Sequence, residues 1–226
     1  MPIVTYREDG TVKREEWWEG SVLHRTDGPA FVRYYDDGWF EVWYQHGQRH
    51  RTDDPAVTRF YEDGRVARED WYLSGVRHRV DGPAVVEYYP DGTVKKEEWY
   101  FSGERGCARG ASFVAYRPDG SVEHKMWHRA GIREMSRWYD EDGELHRDDG
   151  PACITYREDG ISRISEEWFS HGHHRTDGPG HVAYNKKGEP VKETWFSPNG
   201  EPIDSPRFQQ RDPKPLGEPV VEGVEL

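Results

Sequence analysis

A short motif that combines a base, a cation and a carboxylate occurs five times in this chain. Its first copy runs from His24 to Ala30 and follows the pattern His-Arg-x-Asp-Gly-Pro-Ala. Imidazole, guanidinium and carboxylate groups within four residues could serve acid–base catalysis or line a groove for a polar ligand or a metal ion. The polar motif residues are, in chain order, His24, Arg25, Asp27, His50, Arg51, Asp53, His78, Arg79, Asp81, His146, Arg147, Asp149, His174, Arg175 and Asp177.

The spacing of the copies favours a structural role for the motif over a catalytic one. Successive histidines lie 26, 28, 68 and 28 residues apart, and a near-constant period of this size is typical of repeat proteins. We interpret each copy as the turn that joins one β-hairpin to the next. Its Arg would bind the Asp or backbone carbonyls of the next repeat, and its Gly would take the left-handed conformation. Asp54, which replaces this Gly, would then carry a modest backbone strain.

Composition limits both the kind of core and the kind of partner. The chain has a net charge of -12, a mean hydropathy of -1.06, five Leu and six Ile, but ten Trp and thirteen Tyr. We expect an aromatic core spread along the chain, with Trp and Tyr of neighbouring repeats packed side by side. The acidic surface disfavours nucleic-acid and membrane partners and favours a basic protein. With two cysteines and no signal peptide or transmembrane run, a cytoplasmic location is expected.

Asp-Gly pairs predict the hairpins themselves. Such a pair between two strand-like runs is a strong hairpin signal; here a Trp follows, in most repeats seven or eight residues after the Gly, and a second Gly closes the unit. The predicted fold is all-β: an elongated, curved antiparallel meander of about seven β-hairpin repeats in a single-layer sheet. The repeat array would cover residues 1–200, with a period of about 28 and an irregular part at 103–145, and residues 201–226 would form a Pro-rich acidic tail. The pairs are Asp9-Gly10, Asp37-Gly38, Asp63-Gly64, Asp91-Gly92, Asp119-Gly120 and Asp159-Gly160.

The irregular part is where a partner-binding surface is predicted. Gly106, Cys107 and Arg109 stand where the motif has His, Arg and Asp, and the next repeat is 12 residues longer, enough for about one strand and turn. Because the regular turn is given up here, a surface unlike the rest of the array can form. The candidate partner-binding residues are Arg105, Cys107, Arg109, Trp127, Arg133, Arg137 and Trp138.

The hairpin pattern resembles a known family. Tyr61, Gly64, Trp71 and Gly75, with their equivalents over roughly residues 6–200, resemble the MORN-repeat variants, including the repeat of YwqK-type antitoxin proteins. The resemblance implies a curved sheet of β-hairpins that binds protein or lipid and carries no catalytic residue.

Three functional hypotheses follow. The first is a non-enzymatic scaffold that binds a protein, as an antitoxin or immunity protein binds a toxin or effector. The second is a small-ligand binder or a viral or phage decoy, and the third, weaker, is a hydrolase that uses His and Asp. We predict no cofactor: a zinc or nickel site on His171, His173, His174 and His181 is disfavoured because no Cys accompanies them. The edge strands could pair into a homodimer.

Overall fold

The protein folds into one long antiparallel sheet that is open at both ends. The computed structural model describes residues 2–108, 110–170 and 173–203, and within these ranges every regular element is a β-strand. No helix that could cross a membrane occurs in this part of the chain. Sixteen strands form the sheet, as a meander in chain order, which confirms the predicted all-β array of hairpins. The predicted tail from residue 204 onward lies outside the described residues.

The strands are β1 (Ile3–Tyr6), β2 (Val12–Glu16), β3 (Trp18–Glu19), β4 (Val22–Leu23), β5 (Phe31–Tyr35), β6 (Gly38–Val42), β7 (Tyr44–Gln45), β8 (Gln48–Arg49), β9 (Val57–Tyr61), β10 (Val66–Asp70), β11 (Tyr72–Leu73), β12 (Val76–Arg77), β13 (Val85–Tyr88), β14 (Val94–Glu98), β15 (Tyr100–Phe101), β16 (Glu104–Arg105), β17 (Phe113–Tyr116), β18 (Val122–Arg129), β19 (Ile132–Trp138), β20 (Cys153–Tyr156), β21 (Arg163–Glu167), β22 (Phe169–Ser170), β23 (His173–His174), β24 (His181–Tyr184), β25 (Pro190–Phe196) and β26 (Pro202–Ile203). Five pairs form separate short hairpins: β3–β4, β7–β8, β11–β12, β15–β16 and β22–β23.

The Asp-Gly turns form as predicted. Gly10 has φ +85° and Gly92 has φ +91°, a conformation that only glycine adopts readily. The preceding Asp accepts a hydrogen bond from the backbone N–H two residues on, as in Asp91 Oδ1 with Thr93 N at 2.8 Å. The hairpin β5–β6 is tighter, because Tyr35 pairs directly with Gly38. This tighter turn accounts for the 26-residue spacing of the first two motif copies.

The first four short hairpins stack on one another along one edge of the sheet. In the second, third and fourth of them, and in the β18–β19 hairpin, the closing glycine donates its N–H to a carbonyl of the preceding hairpin, as Gly75 does to Arg49 at 2.9 Å and Gly103 to Arg77 at 2.9 Å. The residue before the glycine also has positive φ, so that both central turn residues are left-handed, as in a type I′ turn. These residues are His46 (49°), Ser74 (48°), Ser102 (50°) and Ala130 (46°).

The core is a line of small and branched side chains along the sheet. The last motif residue is fully buried in four copies, and its carbonyl accepts the N–H of the Trp that precedes the motif, as in Trp71 N to Ala84 O at 2.7 Å. Branched residues of the adjacent strands, such as Val86 and Ile154, are also buried. Because only a small residue fits here, the motif ends in Ala. The buried alanines are Ala30, Ala56, Ala84 and Ala152.

An extra strand, β19, exchanges the edges of the sheet on which the two kinds of turn lie. In regular repeats a short hairpin separates two strands of the sheet, but β18 continues directly into β19 through a turn at Ala130. The N–H of Gly131 donates to Arg105 O at 3.0 Å, and Arg133 donates to Gly160 O at 3.3 Å. The Asp-Gly turn at Gly160 therefore lies on the edge that carries the short hairpins in the first half. The motifs that begin at residues 24, 50 and 78 lie on one edge, and those at 146 and 174 lie on the other.

Candidate functional site

In every motif copy the Arg lies over the face of a Trp. The guanidinium carbon of Arg79 is 3.9 Å from the centre of the Trp71 ring, within the range of a cation–π contact. The Trp precedes the Arg by seven to nine residues, a spacing from which the pair could have been found. The prediction that Trp and Tyr of neighbouring repeats pack side by side does not describe these five Trp rings, because an Arg lies over each of them. The other pairs are Arg25–Trp17 at 4.3 Å, Arg51–Trp43 at 4.1 Å, Arg147–Trp138 at 4.3 Å and Arg175–Trp168 at 3.8 Å.

The same Arg also binds groups of its own turn. Arg79 Nε donates to Asp81 Oδ1 at 3.1 Å, and Arg79 Nη1 donates to the Pro83 carbonyl at 3.3 Å. Arg25 and Arg147 bind Asp27 and Asp149 in the same way, at 2.8 and 2.6 Å. The predicted bond from Arg to the motif Asp is confirmed in these three of the five copies. The carbonyl that Arg79 also binds belongs to its own turn, and not to the next repeat as the predicted alternative had it.

The motif glycine leaves room for the Arg side chain and is not required for a left-handed backbone conformation. Gly28 does not have positive φ, and a Cβ built on it would lie 2.6 Å from Arg25 Cζ. The predicted left-handed conformation is therefore wrong: glycine is needed so that the guanidinium can lie against the turn. Asp54 does not have positive φ either, so the predicted strain is absent. Its carboxylate instead pairs with Arg51 Nη2 at 2.6 Å, and Asp53 accepts a hydrogen bond from Thr52 at 3.1 Å.

The motif histidines connect neighbouring repeats. His50 Nδ1 accepts the backbone N–H of Ser74 at 3.1 Å, and His78 Nδ1 accepts that of Ser102 at 3.1 Å. His24 does the same for His46 at 3.0 Å. In the second half the histidines pack differently: His146 Nε2 lies 3.1 Å from Asp148 Oδ1, and His174 stacks on Phe196 at 3.7 Å. Burial lowers the pKa of His174, and the carboxylate of Asp177 is exposed.

The turn formed by residues 106–108 and 110–112, which we call the degenerate turn, differs from the regular turns in what the described residues place over its Trp. Cys107 stands eight residues after Trp99, where the other copies have Arg. Among the described residues no cation lies over the Trp99 ring. A surface pocket of about 680 Å³ opens here, lined by Trp99, Tyr100, Phe101, Cys107 and Ala130 among others. The grooves between regular motif turns are smaller, at about 520 and 540 Å³.

Charges around this pocket are divided between paired and unpaired groups. Arg105 forms an ion pair with Glu98 and lies against Tyr100, and Arg79 is held by its own turn as described above. Glu104 is exposed and, within the described part of the chain, forms no ion pair. As far as the described residues show, the pocket therefore offers an unpaired carboxylate, that of Glu104, beside the ring of Trp99 with no cation over it.

A Ser–His pair lies beneath the degenerate turn. Ser112 replaces the buried motif Ala, is itself fully buried, and its Oγ lies 2.8 Å from His128 Nδ1. Burial, with smaller contributions from Arg105 and Arg133, lowers the pKa of His128 to about 4. Because the hydroxyl does not reach the surface, this pair fills the interior of the turn and presents no nucleophile to solvent.

The structure separates the predicted partner-binding residues into two groups. Arg105 and Cys107 lie at the edge of the sheet where β18 ends and β19 begins, and Arg133 is at the start of β19. Trp138 ends β19 near the opposite edge, under Arg147 and stacked on His124 at 4.3 Å. Trp127 and Arg137 are in contact within the β18–β19 hairpin, at 5.4 Å. Arg109 lies outside the described residues.

Two further features were not predicted from the sequence. A second pocket of about 770 Å³ lies along β19 and β21 and is lined by Met135, Tyr156 and Ile164 among others. Tyrosines on the sheet face donate to glutamates of the preceding strand, and burial together with Glu15 raises the pKa of Tyr34 to about 12. The Tyr–Glu pairs are Tyr34–Glu15 at 3.0 Å, Tyr88–Glu69 at 3.0 Å, Tyr116–Glu97 at 2.6 Å and Tyr184–Glu166 at 2.7 Å.

Metal binding has one candidate group among the described residues. The ligand atoms of Glu19, His24 and His46 lie within 4.8 Å of one another. His24 Nδ1 already accepts the N–H of His46, so only its other ring nitrogen is available. Of the histidines considered from the sequence, His171 lies outside the described residues, as does the side chain of His173, and His174 is stacked between Phe169 and Phe196.

No protein-family model matches this chain, and no curated protein matches its sequence. The resemblance to MORN-repeat variants therefore stays a prediction.

Proposed function

We propose that this chain is a non-enzymatic repeat scaffold that binds a protein partner at the degenerate turn. The observation that carries the proposal is the contrast between the regular turns and this one. In a regular turn such as that of Arg79 the cation covers a Trp and binds a carboxylate. At the degenerate turn Trp99 and Glu104 have no such partners among the described residues, and Phe101, 62% exposed, lies beside them. Aromatic side chains in a pocket are typical of the residues that dominate binding energy at interfaces.

The charge of the chain indicates the kind of partner. A net charge of -12 accelerates association with a basic protein and disfavours anionic partners. An acidic protein that masks a basic toxin or effector would act as an antitoxin or immunity protein, and we propose this as the biological role. The small-ligand alternative is favoured by one observation, the recurrence of polar grooves of about 520 and 540 Å³ between regular turns.

A matched pair of variants tests the proposal. The immobilised full chain would capture partners from a lysate of its source organism, and each captured protein would be produced and titrated by calorimetry. Phe101→Asp should weaken binding at least tenfold, whereas Val191→Asp, at an equally exposed position on β25 (63% against 62%), should not. Equal affinities of the two variants would contradict a site at the degenerate turn.

The antitoxin role has its own test. If the partner inhibits growth when it is produced alone, co-production of the wild-type chain should restore growth and the Phe101→Asp variant should not. A partner that is harmless, or restoration by both variants, would contradict this role.

A further inference from the structure

We propose that the pocket over Trp99 binds an arginine side chain of the protein partner. This inference specifies the recognition chemistry of the proposed function and rests on it only for the origin of the arginine. It is based on the five motif copies of the same chain, in each of which a guanidinium lies over the face of the repeat Trp.

The five internal Arg–Trp pairs define the geometry that a guanidinium over the Trp99 ring would adopt. The guanidinium carbon lies 3.8 to 4.3 Å from the Trp ring centre, and the guanidinium edge donates to groups of the turn. The arginine side chains are about three-quarters buried, as for Arg79 with 24% exposure. At the degenerate turn Cys107 is too short to reach over the ring as an Arg does. The pocket is about 140 Å³ larger than the regular groove of 540 Å³.

The charges at the pocket fit a cation. Glu104 lines the pocket and, among the described residues, has no cationic partner, while Asp81 lines it from the preceding turn. The pocket cations Arg79 and Arg105 are each bound to a carboxylate, Asp81 and Glu98 respectively. An incoming guanidinium would therefore meet one unpaired carboxylate and an aromatic face, on a chain with a net charge of -12.

Arginine fits this place better than lysine. A planar guanidinium stacks on an indole and still donates hydrogen bonds from its edge, which a compact, strongly hydrated ammonium does less well. An anionic ligand is a poor alternative, because the ring face and the Glu104 carboxylate would both repel it.

The test uses small probes and therefore needs no partner. N-acetyl-arginine amide, its uncharged citrulline analogue and its lysine analogue would be titrated into the full chain. The ten indole N–H resonances would be followed by NMR, with Trp99→Phe to assign that of Trp99. We expect a saturable shift of the Trp99 resonance by the arginine probe. The citrulline probe should bind roughly fivefold more weakly, as the loss of about 1 kcal/mol of cation–π attraction requires.

Two variants and one chemical measurement keep the test decisive. Cys107→Arg combined with Arg109→Asp restores the Arg and the Asp of a regular motif and should abolish the Trp99 shift, because the chain's own Arg would then cover the ring. In the wild type the bound arginine probe should slow alkylation of the Cys107 thiol, and in Trp99→Leu it should not. The buried thiol of Cys153, 5% exposed, is the internal control. Equal shifts with arginine and citrulline probes, or undiminished binding to the folded double variant, would overturn the inference.

Failure of the inference can be told apart from failure of the proposed function. A chain that binds the arginine probe at Trp99 but captures no protein supports the pocket and contradicts the protein-binding role. A chain that does not bind the probe, and whose captured partner is weakened by Phe101→Asp but not by the double variant, supports the proposed function and overturns the arginine pocket.

Discussion

The guanidinium of Arg79 lies 3.9 Å from the centre of the Trp71 ring, and the same place over Trp99, one repeat later, has no cation from the described residues. The two tryptophans occupy equivalent positions, 28 residues apart. The residue that supplies the cation in one repeat is Arg79, and its equivalent in the next is Cys107, in a turn where His and Asp of the motif are also replaced. Complete copies of the motif thus stabilise the array, and the proposed partner-binding site lies at the copy in which the motif is incomplete.

The Arg–Trp stack should be a measurable source of stability. Arg79→Ala removes the cation over Trp71 and its bonds to Asp81 and Pro83. We expect a loss of about 1–2 kcal/mol in the free energy of unfolding, measured by urea denaturation. Arg129→Ala is the control: Arg129 is 83% exposed and paired only at the surface with Glu134, so its loss should stay within about 0.5 kcal/mol. Equal losses would contradict a structural role for the stack.

The motif histidine should act through its acceptor nitrogen alone. His78→Ala removes the acceptor of the Ser102 N–H and should cost about 1 kcal/mol of stability. His78→Asn places a carbonyl oxygen near the former position of Nδ1 and should recover most of that loss. Hydrogen exchange of the Ser102 amide should be faster in the Ala variant than in the Asn variant. Similar exchange in both variants would show that the histidine acts by packing instead.

Stability should fall as the solution is acidified, because His124 is held neutral. Burial, with Arg147 and Arg133 nearby, lowers the pKa of His124 to about 4, against about 6.5 in an unfolded chain. Between these values the unfolded state binds more protons than the folded state, so stability is lost as pH falls from about 6.5 towards 4.

His124→Phe should reduce this loss. A Phe ring can keep the stack on Trp138, and it removes a buried nitrogen that has no hydrogen-bond partner among the described residues. The measurement is the midpoint of urea unfolding at pH 7 and at pH 4.5, and the variant should show the smaller difference. A pH dependence identical to that of the wild type would contradict the assignment to His124. His128, also titrating at about 4, should supply the remainder.

Two turn glycines should respond very differently to the same substitution. Gly10 and Gly38 both have φ between +80° and +140°, so alanine is strained at each by about 1–2 kcal/mol. A Cβ at Gly10 would meet nothing within 4 Å, whereas one at Gly38 would overlap the Phe60 carbonyl oxygen. Gly38→Ala should therefore be more destabilising than Gly10→Ala by about 1–3 kcal/mol in thermal or urea unfolding. Equal effects would mean that the β6–β9 pairing relaxes without cost.

The hairpins could be predicted from sequence because their signals are local. An Asp-Gly turn depends on two residues and their own backbone, and the predicted positions carry positive φ, as at Gly92 and Gly120. The motif glycine was predicted wrongly for the same reason. Its environment is the guanidinium of Arg25 or its equivalent, a side-chain contact that turn propensities do not include.

The edge on which each motif lies could not be predicted, because it depends on counting strands. The 12 extra residues of the irregular repeat could add a strand, a loop or a bulge, and only an odd number of strands moves the motifs at His146 and His174 to the opposite edge. The pairing of β18 with β19 and of β19 with β20 decides this. For the pocket at Trp99 only the region was predicted, because the Arg–Trp contact with which it is compared joins side chains seven to nine residues apart, on either side of a hairpin or turn.

The most direct test of the central claim is the affinity of the captured partner for the Cys107→Arg, Arg109→Asp double variant, measured by calorimetry beside the wild type. We expect a loss of at least tenfold, because the restored motif Arg would occupy the face of Trp99 that the partner needs. An unchanged affinity in a variant with wild-type stability would contradict the claim that the partner binds over the face of Trp99.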